Sequence, residues 1–262
     1  MAELLFWPAL LAYGEAAFAY FGETRSPGLP GRLATWGVRI GWLVQTALLG
    51  FQAARASGFP WSTWAGSLNL FVWLVVGAYL IWGCRPRFRL LGLAVAPIAV
   101  ALLAVARIGG GTGIGARSHY SNLFLVLHVG LVLAAFAGFT LAAALSALYL
   151  WQERRLKRRA AGILRLRAPS LATLDSLVGR TVAVSLPTLT LGIVVGLLRL
   201  RHSGGGFDAV IALTLAAWVV YGGFLVLRFG AGWRGRRAAY LVLAGFALVA
   251  LVRVGFPVSH FS

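Results

Sequence analysis

Eight apolar stretches, each close to the ~20 residues that a helix needs to cross a bilayer, leave this chain few folds to choose from. They run roughly over 4–21, 33–54, 66–83, 88–106, 122–148, 178–198, 208–228 and 238–256. Inside lipid the backbone must satisfy its own hydrogen bonds, which runs of this length do as helices. The pattern predicts an all-α, polytopic integral membrane protein with about eight transmembrane helices, forming a single membrane domain over residues 1–262. Composition agrees: 11% of residues are charged and 60% hydrophobic, whereas a soluble domain carries about 25% charged residues. The fifth run stays apolar to Trp151, longer than a crossing needs, so it tilts or its end stands proud of the lipid. The start, Met-Ala-Glu, lacks a basic n-region, so no cleaved signal peptide is expected.

Lys and Arg number 24 against 6 Asp and Glu, a formal net charge of +18. In a soluble chain that excess would point to nucleic acid. Here the basic residues lie between apolar runs, where they set topology and meet anionic headgroups. Membrane lipid is the implied partner and nucleic acid is not. Sixteen of the 24 fall in one alternate set of connections and six in the other, with Arg39 and Arg180 inside runs. The positive-inside rule then puts both termini outside and the richer connections in the cytoplasm, in a bacterial cytoplasmic (inner) membrane. The longest rich connection, 152–177, opens Gln-Glu-Arg-Arg-Leu-Lys-Arg-Arg, which reads as a stop signal and headgroup contact, with partner docking as the second reading. Pro169-Ser170 then breaks the chain before a short amphipathic approach, 171–177, to the sixth helix. The single Cys84 excludes an intrachain disulfide, a CxxC redox pair and a cysteine-based zinc site. Without C-x-x-C-H, the chain carries no covalent c-type haem of its own.

In that topology all four histidines belong to the outer side. Imidazole ligates haem iron, and two histidines from different segments can trap a porphyrin between them. His128 and His260 are the better pair, because each stands at a helix end that aims its ring. His119 and His202 sit among Gly, Ser and Arg and read as solvated loop residues. The competing reading for a lone intramembrane histidine is a hydrogen-bonded packing residue. Outer arginines can pair with haem propionates: Arg199 and Arg201 flank His202, and Arg107 and Arg117 flank the Gly-rich stretch 109–115. That stretch, GGGTGIG, lacks the Gly-Lys-Ser/Thr ending of a phosphate loop and reads as a flexible connection.

Glu15 and Arg39 lie inside the first two runs at matched depth, roughly 9 Å from their inner ends at about 1.5 Å per residue, and are expected to form an ion pair. Gly37-x-x-x-Gly41 and Gly192-x-x-x-Gly196 permit close packing of helices within the molecule.

Several blocks resemble a known family, the membrane proteins of cytochrome c assembly of the CcsA, CcmC and HemX-like type. Leu127-His128-Val129 opens a helix with a basic exit, 149–159, similar to the family's histidine helix. Leu174-Asp175, Arg180 and Leu186-Pro-Thr-Leu-Thr-Leu-Gly192 resemble its next helix. Gly232-Trp-Arg-Gly-Arg-Arg-Ala-Ala239 and Ser259-His260-Phe261-Ser262 resemble its C-terminus, so the most specific blocks lie in the half 118–262. Gly58-Phe-Pro60 with Ser67-Leu68 is a fainter echo. The resemblance implies haem b held on the outer side by two histidines flanking a tryptophan-rich segment that ends in Trp-Asp. His128 and His260 take the ligand positions. In place of the tryptophan-rich segment this chain has Ser203-Gly-Gly-Gly-Phe207-Asp208, so only Asp208 remains, with Trp218 and Tyr221 matching further on. Trp61 and Trp64 are candidates for a substitute aromatic platform, and the branch implied is HemX-like.

The leading expectation is a haem-handling accessory of cytochrome c biogenesis that binds or presents haem on the outer face, without bond-making of its own. Attachment of haem would need thiols from a partner, another biogenesis membrane protein or an apocytochrome, since Cys84 lies on the inner side. The alternative is a HemX-like membrane regulator of haem biosynthesis acting on a cytosolic enzyme through 152–177 and 229–237. Solute transport is the third reading, resting on midplane Gln45, Asn69, Thr188 and Thr190 and on a break at Pro187. An intramembrane enzyme fits worst, because no nucleophile and base share a depth.

Overall fold

The computed structural model of the protein describes residues 2–23, 28–56, 61, 63–83, 88–113, 123–158, 169–203 and 209–251. They form eight helices: α1 (Ala2–Glu23), α2 (Leu29–Arg55), α3 (Trp64–Gly83), α4 (Arg89–Ile108), α5 (Leu123–Lys157), α6 (Leu171–Ser203), α7 (Ala209–Gly230) and α8 (Arg236–Ala250). Each coincides with one of the eight apolar runs, and no strand occurs among the described residues. The protein is an all-helical, multi-pass membrane protein. Six of the helices, α1 and α3–α7, are long and apolar enough to cross a membrane. Helix α2 has the length but carries Arg32, Arg39, Gln45 and Gln52, and α8 spans 15 described residues.

Local chemistry moves several helix ends from their expected places. Residues 171–177 are not a separate approach to α6; they are its first two turns. Ser170 starts the helix there, its Oγ accepting the Thr173 N–H at 3.2 Å and its carbonyl the Leu174 N–H at 3.0 Å. Nor does Pro187 break α6, which runs for 33 residues through it. Thr188 and Thr190 donate to the carbonyls of Val184 and Leu186 in their own helix, each at 2.9 Å. Helix α5 has 35 residues, roughly 52 Å at 1.5 Å each, and so outruns a ~30 Å hydrocarbon core.

The helices divide into two compact units, α1–α4 and α5–α8. In the first, α1 packs against α2 where Gly37 and Gly41 remove side chains. A Cβ on Gly37 would stand 3.0 Å from the Ala12 carbonyl oxygen, and one on Gly41 2.7 Å from the Tyr13 ring. Beside this contact runs a buried polar chain. Tyr13 donates its hydroxyl to Gln45 Oε1 at 2.8 Å, and Gln45 Nε2 donates to Asn69 Oδ1 at 2.9 Å. Asn69 Nδ2 donates in turn to Gln52 Oε1 at 3.3 Å. Gln52 Nε2 ends the chain on the carbonyls of Gly111 and Gly113, at 3.1 and 2.7 Å. The described part of the Gly-rich stretch, 109–113, is therefore tied down rather than a free connection. Gln45 and Asn69 are engaged with each other, which removes the polar midplane groups on which the transport reading drew. Trp61, a candidate for the aromatic platform, donates its Nε1 to Gln52 Oε1 at 3.3 Å in the same network.

Glu15 and Arg39 are not joined. Glu15 lies on the exposed side of α1, while Arg39 turns along its own helix with its guanidinium 5.1 Å from the Trp36 ring centroid. Close seating of α1 on α2 uses the faces of Ala12, Tyr13 and Ala16, which leaves Glu15 to one side. Glu23 is the acid that bridges these helices, its Oε2 accepting the N–H groups of Gly28 and Gly31 at 2.8 Å each. A carboxylate there also meets the positive end of the α2 dipole. The stability losses of Glu15→Gln and Arg39→Gln are accordingly expected to add within about 0.5 kcal/mol in the double variant. Thermal unfolding in detergent checks this, and a double variant no weaker than the worse single one would restore the ion pair.

Candidate functional site

Helices α5 and α6 make the most extensive pairing of the second unit. Near the start of α5, His128 is half-buried against α6, its Nδ1 2.7 Å from the Gly192 carbonyl oxygen. A carbonyl only accepts, so Nδ1 carries a proton and donates in this bond. One turn further along α6, Gly196 makes room for the ring: a Cβ there would stand 2.6 Å from His128 Cε1 and 2.8 Å from Nδ1. On Gly192 a Cβ would come within 2.9 Å of Val132 Cγ2. The Gly192-x-x-x-Gly196 spacing, read as a site of close helix packing, is specifically the seat of a histidine. Metal-ligating imidazoles are oriented in this way, by a bond from the nitrogen that does not face the metal.

The other expected site residues are placed only by register, or not at all. Arg199, Arg201 and His202 follow Gly196 on α6 within about two turns, so the backbone carries them toward the same end of the helix pair. Asp208, His119, Arg117 and His260 lie outside the described residues. Trp218 and Tyr221, which matched the family pattern, hold α7 to its neighbours. Trp218 Nε1 donates to Thr190 Oγ1 at 2.9 Å, and the Tyr221 hydroxyl donates to the Val242 carbonyl at 3.3 Å while its ring stacks on Phe139.

At the opposite end of this unit the structure assembles residues that sequence reasoning had not joined. Tyr149 lies 21 residues beyond His128 on α5, roughly 31 Å along the axis. Near it, Asp175 of α6 pairs with Arg228 of α7, Oδ2 to Nη2 at 2.9 Å, with side chains only 14% and 10% exposed. Asp175 Oδ1 also accepts the Gly235 N–H at 2.8 Å, and Arg228 donates back to the Asp175 carbonyl at 2.9 Å. Gly235 takes φ +70°, a left-handed conformation that glycine adopts without strain. One carboxylate thus ties the start of α6, the end of α7 and the α7–α8 turn. The available signal was scarcity: Asp175 is one of six acids facing 24 bases.

A helical, multi-pass membrane protein with a fixed imidazole near the start of a long helix and a basic exit at its other end defines the class. Within it, residues 61–260 match the family model described as cytochrome C assembly protein, and the chain belongs to that family. The match starts well before the 118–262 half in which the most specific blocks lie. Among curated relatives, the chain is 26% identical to the cytochrome c biogenesis protein CcsA of Picosynechococcus sp. (strain ATCC 27264 / PCC 7002 / PR-6), covering 96% of this chain and 91% of the relative. It is 25% identical to CcsA of Microcystis aeruginosa (strain NIES-843 / IAM M-2473), with coverage of 96% and 90%. With CcsA of Prochlorococcus marinus (strain MIT 9303) the figures are 26%, 94% and 90%. All three carry the CcsA name rather than HemX. No solved structure matches the chain.

Three substitutions test the geometry. Gly196→Ala is expected to lower stability by about 1–3 kcal/mol through overpacking against His128. Gly130→Ala, where nothing lies within 4 Å, should be neutral or stabilising by up to about 1 kcal/mol. Asp175→Ala should cost about 3 kcal/mol, because Arg228 is left without its counter-charge. Unfolding of the three variants in detergent measures each, and equal behaviour of the two glycine variants would remove the histidine seat.

Proposed function

We propose that this protein handles haem b on the outer face of a bacterial cytoplasmic membrane during cytochrome c biogenesis, with His128 and His260 as the residues that would hold its iron. The observation that carries the reading is the bond from His128 Nδ1 to the Gly192 carbonyl at 2.7 Å. It makes Nδ1 the donor and orients the ring, and Gly196 gives the ring its seat on α6. These residues fit an iron-bound porphyrin. Membership of the cytochrome c assembly family and the names of the CcsA relatives support the same biological setting.

Each of the chain's own groups has a part in this reading. His128 would hold the iron from α5, and the Gly192 carbonyl keeps its ring from turning. His260 supplies the second imidazole. Arg199 and Arg201 neutralise the propionates by charge-assisted hydrogen bonds, and Asp208 stands where the family keeps its aspartate. Bound haem supplies vinyl carbons to which the thiols of an apocytochrome add; this chain presents the group, and a partner in the biogenesis pathway brings the thiols. The orientation follows from the basic ends of α5, α7 and α8, which the positive-inside rule puts in the cytoplasm, with eight spans and both termini outside.

The test is an absorption spectrum of detergent-purified protein, as isolated and on haemin titration, for wild type, His128→Ala and His260→Ala. A low-spin spectrum in the wild type, lost in both variants, is the expected result. Wild type without any haem-dependent spectrum would overturn the reading. It would favour the HemX-like regulatory one, which draws on the bond from the Gly235 N–H to Asp175 that joins the segments 152–177 and 229–237.

A further inference from the structure

A cavity of about 470 Å³ opens at the basic end of the second unit, lined by Tyr149, Asp175, Ser176, Arg228, Arg234 and Gly235. Its size falls among small-molecule pockets, roughly 300–1,000 Å³. We propose that it binds the phosphate of an anionic lipid headgroup. This site lies at the opposite end of α5 from His128 and stands independently of the haem reading.

The charge balance of the wall supports an anion. Asp175 is the one acid on it, and both of its oxygens are engaged: Oδ2 by Arg228 at 2.9 Å, and Oδ1 by Arg228 at 3.3 Å and the Gly235 N–H at 2.8 Å. Arg228 is thereby matched, and Arg234 remains as the uncompensated charge. It is exposed, with no hydrogen-bond or ion-pair partner among the described residues. Tyr149 and Ser176 add hydroxyl donors. Leu171 and Ala172 bring the first turn of α6 to the rim, and Gly235 precedes the first turn of α8; neither turn contains an acid. Their positive dipole ends therefore add to the arginines. In sequence Arg236 and Arg237 follow Gly235 directly, and Arg154 and Arg155 follow Tyr149 on α5, while Glu153 is taken up by Lys157 at 2.7 Å.

The surroundings favour a lipid over a dissolved phosphate. Trp151, two residues from Tyr149, carries the Arg155 guanidinium 4.7 Å from its ring centroid, and Trp233 adjoins Arg234. Tryptophans of this kind mark the headgroup level of a bilayer. Basic pockets between membrane helices on the cytoplasmic side take anionic headgroups for the same electrostatic reason.

The experiment uses the full chain in detergent. Thermal unfolding and native mass spectrometry follow the addition of phosphatidylglycerol, phosphatidylcholine or inorganic phosphate to wild type, Arg234→Gln, Arg234→Lys and Arg237→Gln. Phosphatidylglycerol is expected to stabilise the wild type saturably and to be retained on it, whereas phosphatidylcholine is not. Arg234→Gln should weaken that response about fivefold, the worth of one basic side chain at an anionic surface. Arg234→Lys and Arg237→Gln should keep most of it, and all variants should unfold alike without lipid. Inorganic phosphate that stabilises as well as phosphatidylglycerol would reassign the cavity to a free anion and overturn the lipid. Equal losses in Arg234→Gln and Arg237→Gln would overturn the site itself, leaving a diffuse basic surface.

Discussion

Lipid tails are as apolar as leucine, so burying apolar side chains does little to bring helices together inside a membrane. What remains is close packing and the pairing of polar groups, and both units of this protein depend on glycine for the first. Gly37 and Gly41 let α2 approach the backbone of α1, and Gly192 and Gly196 let α6 receive α5. The two grooves share a spacing and differ in what fills them. Ala12, Tyr13 and Ala16 occupy the first, which is pure packing. The second takes Val132 and the imidazole of His128, so the contact that joins the helices also positions the candidate ligand.

Most polar groups inside the helices are paired, because each one left unpaired in a low-dielectric interior carries its full desolvation penalty; Ser146 Oγ and Gln152 Nε2 are buried without a hydrogen-bond partner among the described residues. In the first unit Tyr13, Gln45, Asn69 and Gln52 form one chain that ends on glycine carbonyls of a loop. Residues that look like a transport path in sequence are thus the fasteners of that unit. Three of the six acids have clear structural parts. Glu23 serves the start of α2, Glu153 balances Lys157, and Asp175 gathers three elements of the second unit. Membership of the cytochrome c assembly family gives the chain as a whole its biological setting.

Much of the fold was legible because a bilayer imposes a length. The eight helices of the described residues were located from apolar runs, and their membrane class followed from run length together with the scarcity of charge. Ends were less legible where a single side chain decided them. Ser170 capped α6 seven residues earlier than the apolar pattern indicated, and the helix carried Pro187 without a break. The Glu15–Arg39 pairing failed because matched depth says nothing about rotation around the helix axis, and the Gly37–Gly41 contact sets that rotation with Glu15 to one side. His128 was legible as a candidate from its place at a helix end.

Sequence by itself determined the membrane class, the places of the described helices, the family, and the choice of His128 and His260 as candidate ligands, since these depend on composition, run length and local motifs. Tertiary structure decided which nitrogen of His128 donates to α6, which glycines make room for the ring, and that Asp175 binds Arg228 and Gly235 across 53 and 60 residues of sequence. Those facts belong to the packing of one helix on another. A hydrogen bond between distant segments depends on their relative rotation and separation, and no local pattern along a single chain encodes either one.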